Sequence, residues 1–189
     1  MSAVLIILMG GCGGGTEGKT FKLKKVNFRP VADSDPLLTK RFASVSGGYS
    51  IRPLSGCEKS AMPKSAAPAL AKRPALFRDR VTGESMVIYA YGKNTVISSV
   101  SFLAGLRDGI VRGVGKTPGA KLIGTDIFSY KGRYFVQSLV QNGSWFNLQL
   151  SVFCRSGRSL QLDYRIQVDN YRIKSRAIEA SIASLDIRE

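Results

Sequence analysis

The stretch from Arg133 to Val168, RYFVQSLVQNGSWFNLQLSVFCRSGRSLQLDYRIQV, decides the fold. Asn142 with Gly143, and further on Ser156 with Gly157, are turn signals of the hairpin kind, so the stretch divides into three strands and reads as an antiparallel meander. Side chains alternate across a strand. Phe146, Leu148, Leu150, Val152 and Cys154 therefore share one face of the second strand, and Leu160, Leu162, Tyr164, Ile166 and Val168 share the same face of the third. The opposite face carries Asn147, Gln149, Ser151, Gln161, Asp163, Arg165 and Gln167, and is either wet or in contact with something polar.

An apolar sheet face needs a cover, and the sequence on both sides of the meander supplies candidates. Tyr171 to Leu185 reads as an amphipathic helix with Ile178, Ile182 and Leu185 inward and Arg172, Lys174, Arg176 and Glu179 outward. Upstream, Val96, Val100, Leu103, Leu106, Ile110 and Val114 recur at three and four residues, which predicts a second helix over about Thr95 to Gly115. Gly105, Gly109 and Gly113 fall at four-residue intervals inside it. Each glycine costs a helix interior about 1 kcal/mol, so the spacing is read as a flat ridge for close approach to the sheet. Arg107, Asp108 and Arg112 in the same run rule out a membrane-embedded helix pair. GGYSIRPLSG gives a short strand at about Tyr49 to Arg52, and SMVIYAY at 85 to 91 a more buried one. The segment from Gly13 to about Ser46 and the loop from Cys57 to Arg73 are polar, basic and proline-containing, and read as connectors.

The amino terminus, MSAVLIILMGGCGGGTEGKT, carries two incompatible signals. Gly13 to Thr20 fits the phosphate-loop pattern G-x-x-x-x-G-K-[ST], with Gly13, Gly18, Lys19 and Thr20 as the phosphate-binding positions. Such a loop needs a helix directly after it, because the helix amino terminus helps to hold the phosphates. TFKLKKVNFRPVADSDPL looks extended instead and soon meets Pro30 and Pro36. Alternatively, Ala3 to Met9 is a short apolar segment ahead of Met9, Gly10, Gly11 and Cys12, which resembles the lipobox of bacterial lipoproteins. Cys12 is then the acylated first residue of the mature chain and GGGTEG its flexible tether. The lipoprotein is the leading reading. A nucleotide-binding protein using Lys19 and Thr20 is the rival.

Composition narrows the function classes. The chain has 189 residues, 28 Lys and Arg against 13 Asp and Glu, and a formal net charge of +15. Anionic partners are favoured by that field: nucleic acid, a phospholipid surface or an acidic polymer of a cell envelope. A nucleic-acid-binding domain using Tyr130, Tyr134 and Trp145 is a third reading, but these aromatics read as core residues and nucleic acid is not the expected partner. The absence of histidine removes the commonest general base and metal ligand, and no acid, base and nucleophile converge in sequence. We expect no enzyme, no metal and no cofactor. Of the three cysteines, Cys57 and Cys154 remain as a candidate disulfide once Cys12 is assigned to lipid, an arrangement that suits an exported protein.

Strand, long loop, strand, helix, three-stranded meander and terminal helix follow one another over about residues 47 to 187. With GGYSIRP near the start, GIVRGVGK followed by GAKLIGTD, YKGRYFVQSLVQ, and the closing AIEASIASLDI, this order resembles the PsbP-like superfamily, which includes a photosystem II lumenal subunit and a yeast protein that binds the Ran GTPase. The resemblance implies an α/β/α sandwich acting in protein association without catalysis. The expected organisation is a signal peptide at 1–11, a tether at 12–46 and one α+β domain at 47–189, with the antiparallel sheet and its carboxy-terminal meander packed by two helices. The expected site is the cell envelope, on a membrane through the lipid at Cys12.

Overall fold

The computed structural model describes residues 23, 26, 28–63, 71–92 and 100–188. Among these described residues ten strands and two helices follow in the order β1 (Phe42–Ser44), β2 (Tyr49–Ile51), β3 (Glu58–Ser60), β4 (Ala71–Arg78), β5 (Ser85–Tyr91), α1 (Val100–Gly115), β6 (Ala120–Tyr130), β7 (Arg133–Asn142), β8 (Trp145–Phe153), β9 (Ser159–Gln167), α2 (Val168–Ala183) and β10 (Asp186–Ile187). Seven strands form one antiparallel sheet in the order β3-β4-β5-β9-β8-β7-β6, and β1, β2 and β10 form a small second sheet. The meander lies as its turns imply, with Leu148 opposite Tyr164 and Leu150 opposite Leu162.

The principal core fills the apolar face of the large sheet. Phe146, Leu150, Leu162, Tyr164, Met86 and Ile88 meet Ile178 and Ile182 of α2 and Ile51 and Leu54 of the β2 segment. Removing each such side chain from water contributes about 2 kcal/mol. The helix α2 begins at Val168, three residues before the expected start, because β9 runs into it without a linker: the Val168 N–H donates to the Ser144 carbonyl at 2.9 Å. On the other face α1 forms a second cluster, with Leu103, Ile110 and Val114 against Val136, Val140 and Phe153. The sheet therefore has helices on both faces, and α1 covers part of the face expected to be polar throughout.

Four expectations need correction. Gly105 and Gly109 do not form a ridge against the sheet: a Cβ built on either meets nothing within 4 Å, because they face away from it. The loop expected from Cys57 to Arg73 contains β3 and the start of β4. That strand is hard to see because Pro74 interrupts it, at a bulge between Lys72 and Ala75 where the missing N–H breaks no regular ladder. β6 is an unforeseen strand of 11 residues, its alternation broken by a shift between Leu122 and Gly124. At Gly124 the chain needs glycine, since a Cβ there would come within 2.9 Å of Leu23.

Lastly, the stretch expected to be tether up to residue 46 packs on the domain well before that point. Val26 and Leu38 are buried, and the Phe28 ring stacks on Tyr130 at 4.2 Å. The buried Arg52 holds this irregular segment in place. Its Nε donates to the Thr39 carbonyl at 3.1 Å, and its Nη2 donates to the carbonyls of Asp35 at 3.1 Å and Leu38 at 3.4 Å. The segment lacks sequence periodicity because a side chain, rather than a helix or a strand ladder, satisfies its backbone.

Candidate functional site

Two acidic clusters lie on opposite faces of the sheet. The first surrounds Glu84, in the turn between β4 and β5. Its side chain is wholly buried, ion-paired with Lys174 of α2, and accepts hydrogen bonds from the Asn170 side chain at 2.9 Å and the Gln167 N–H at 3.2 Å. Burial opposes its charge, but these donors outweigh burial and hold the carboxyl below its usual range. Asp79 completes the turn by accepting the backbone N–H groups of Val81 at 2.9 Å and Thr82 at 3.1 Å. Every group in this cluster has a partner, so it fastens the β4–β5 turn to the first turns of α2.

The second cluster centres on Asp163. In register it lies between Gln149 of β8 and Val87 of β5, and the row continues to Ser138 and Thr125. The Gln161 side-chain amide donates to both carboxyl oxygens, at 3.0 and 2.9 Å, and the Tyr91 hydroxyl donates to the Gln161 carbonyl at 3.4 Å. Arg165 lies two residues along the same face, but its guanidinium stacks on the Trp145 ring at 4.3 Å. Among the described residues Asp163 has no basic partner. Burial pushes its carboxyl up to about 7, against which the Gln161 hydrogen bond is a minor pull. Burial, with the Asp163 charge beside them, also pushes Tyr89 and Tyr91 to about 12, so both hydroxyls remain protonated donors. The result is a band of hydroxyls and amides around one carboxyl that takes up a proton near neutrality.

Among the described residues no group of three His, Cys, Asp or Glu side chains is placed to hold a metal ion, and no helix is long and apolar enough to cross a membrane.

Of the residues singled out from the sequence, Cys12, Gly13, Gly18, Lys19 and Thr20 lie outside the described residues. Cys57 and Cys154 are both buried, and no disulfide joins them. The reason is topological. Cys57 lies beside Asp79, Glu84 and Lys174, at the Arg165 end of β9, while the Cys154 N–H donates to Arg158 before β9 begins. Those positions are roughly 20 Å apart along the strands, whereas a disulfide needs Cα atoms within about 7 Å. Tyr130 and Tyr134 pack against the two cores as expected, but Trp145 belongs to neither core: it is half-buried at the start of β8 and carries the Arg165 guanidinium on its ring. The polar face itself was legible from strict alternation. The Glu84–Lys174 pair was not, because its members are 90 residues apart.

No family model matches the chain, and no curated protein matches it in sequence. Solved structures do. The chain is similar to cyanobacterial PsbP from Synechocystis sp. PCC 6803, with a TM-score of 0.59 and 14% identity over 80% of this chain and 93% of that one. It also aligns with the Ran-binding protein Mog1p of Saccharomyces cerevisiae, with a TM-score of 0.49 and 7% identity over 79% and 95%. A third match, from Bacteroides thetaiotaomicron, has a TM-score of 0.41 and 14% identity over 79% of this chain and 48% of that one. The fold is PsbP-like α+β, as the order of elements in the sequence implies.

Proposed function

We propose that this protein is a lipid-anchored component of the cell envelope, acylated at Cys12, that acts as a non-enzymatic binding or assembly module through the polar sheet face around Asp163. The observation that carries the reading is the contrast in neutralisation. The chain surrounds the buried Glu84 with donors yet leaves Asp163 with a single neutral one. An acid kept at a cost in the free protein, beside two tyrosine donors, is suited to meet a partner that supplies the missing charge or hydrogen bonds. That partner is an envelope protein or polymer bearing amines or hydroxyls at the contact. The amino-terminal motif supports the anchoring half of the reading through Met9, Gly10, Gly11 and Cys12.

Expression from the native gene, followed by intact mass and membrane partition, tests the anchor: the expected product is a membrane-bound chain that begins at an acylated Cys12. A water-soluble chain retaining Met1 or Ser2 overturns it. For the binding half, Asp163→Asn should abolish association with the envelope fraction that retains the wild-type domain, while a substitution of the exposed Arg176 on α2 leaves it intact.

A further inference from the structure

In an up-and-down meander alternate turns lie at the same end, and here they carry the same charge. Lys131 and Gly132 form the β6–β7 turn, and Arg155 to Arg158 the β8–β9 turn. The two touch: a Cβ on Gly132 would lie 3.2 Å from the Arg155 Nε. Ile187 and Arg188 join them. Arg158 donates to the Arg188 carbonyl at 2.8 Å, the Arg188 N–H donates to the Gly48 carbonyl at 2.9 Å, and Arg133 donates to the Ile187 carbonyl at 3.1 Å. Lys131, Arg155 and Arg188 are exposed. Among the described residues no carboxylate is ion-paired with Lys131, Arg155, Arg158 or Arg188; in the chain Glu189 follows Arg188 directly and Asp186 stands two residues before it, against these four cations and Arg133. The opposite end of the sheet is mixed, with Glu58, Asp79 and Glu84 meeting Arg80 and Lys174.

Each end of the sheet also carries an exposed valine on a turn, Val81 among the mixed charges of the β4–β5 turn and Val45 at the cationic end. The β1–β2 turn that receives Arg188 begins at Val45, which is 84% exposed. An exposed apolar side chain on the same end as these cations, carried on turns rather than in a groove, matches the two attractions of a charged bilayer: apolar burial at the headgroup level and attraction to anionic lipid. A polyanion in solution would use only the charge.

We propose that this end of the sheet, which carries Lys131, Arg155, Arg158 and Arg188 on its turns together with the exposed Val45, docks on a bilayer surface rich in anionic phospholipid. The proposal deepens the envelope reading by naming what the module rests on, and it does not need the acyl chain. With this end down, the strands stand up from the membrane and the Asp163 face points sideways, available to a partner.

The test uses the full chain carrying Cys12→Ser, so that lipidation contributes nothing, in co-sedimentation with phosphatidylcholine vesicles with and without phosphatidylglycerol. Binding is expected only with phosphatidylglycerol and should weaken steeply with salt. Lys131→Glu with Arg155→Glu should weaken it by at least about 25-fold, about fivefold for each basic charge lost near the surface. The pair Lys116→Glu and Lys121→Glu makes the same change in net charge at the other end of the sheet and should leave binding within about threefold. Equal losses in the two double variants, equal binding to neutral vesicles, or tighter binding to soluble polyphosphate than to the vesicles would each overturn the proposal. Unfolding midpoints of both variants equal to the parent's show that any loss is not a folding defect. Acylation of Cys12, read separately by mass, stands or falls independently.

Discussion

Glu84, wholly buried, and Asp163, half-buried, are carboxylates of one sheet, and the protein treats them in opposite ways. Around Glu84 a cation, an amide and a backbone N–H converge from α2 and its first turn, and the carboxyl is held below its usual value. Around Asp163 the sheet offers one neutral amide, and the carboxyl is pushed up to about 7. The Glu84 site is thus internally satisfied, and the Asp163 site is left with a polar demand. Satisfied groups hold a fold together, whereas a group maintained against its own desolvation cost is better explained by something outside the chain.

The strongest way to break the comparison is to empty the satisfied site. Glu84→Ala leaves Lys174 and Asn170 without their acceptor, and chemical denaturation should show a loss of about 3 to 5 kcal/mol. A loss below about 1 kcal/mol would mean that the network does not fasten α2. Emptying the other site should have the opposite sign. Because the folded value of Asp163 lies above the unfolded one, the folded state holds a proton that the unfolded state has released between the ordinary 3.8 and about 7. Its contribution is therefore most favourable below that window and is lost as pH rises through it. Asp163→Asn should remove this slope and raise stability at pH 8, by roughly 2 kcal/mol and at most about 4. Glu84 runs the other way: its contribution is present above the ordinary carboxyl value and is lost as pH falls through the depressed one. Stability curves of the two variants against pH, measured together, check both signs at once.

The helix on the Asp163 side offers a smaller test. Gly105 and Gly109 face open space within α1, so Gly105→Ala and Gly109→Ala should each stabilise by about 0.5 to 1 kcal/mol. Destabilisation on thermal melting would show that the glycines face a contact after all. The smallest expected effect is none: a reductant should leave the melting temperature unchanged, since Cys57 and Cys154 lie at opposite ends of β9.

Much of the scaffold was legible because its signals are local. Two turn signals and unbroken alternation define β7 to β9, and a repeat of three and four defines the buried face of α2. β4 and β6 escaped notice where Pro74 and the shift before Gly124 interrupt the alternation. The segment from 26 to 44 escaped because Arg52, distant in sequence, satisfies its carbonyls. Part of the basic end could have been read: YKGR and CRSGR set cations around glycine turns in alternate hairpins, which a meander must bring together.

By itself the sequence determined which residues alternate, which repeat along a helix and which side of each element avoids water, since these depend on backbone geometry over a few residues. Only the tertiary structure decided which carboxylate would find a cation, whether two cysteines could meet, and which turns would share an end. Those outcomes depend on strand order and on the field that distant residues create together, and neither exists until the chain has folded.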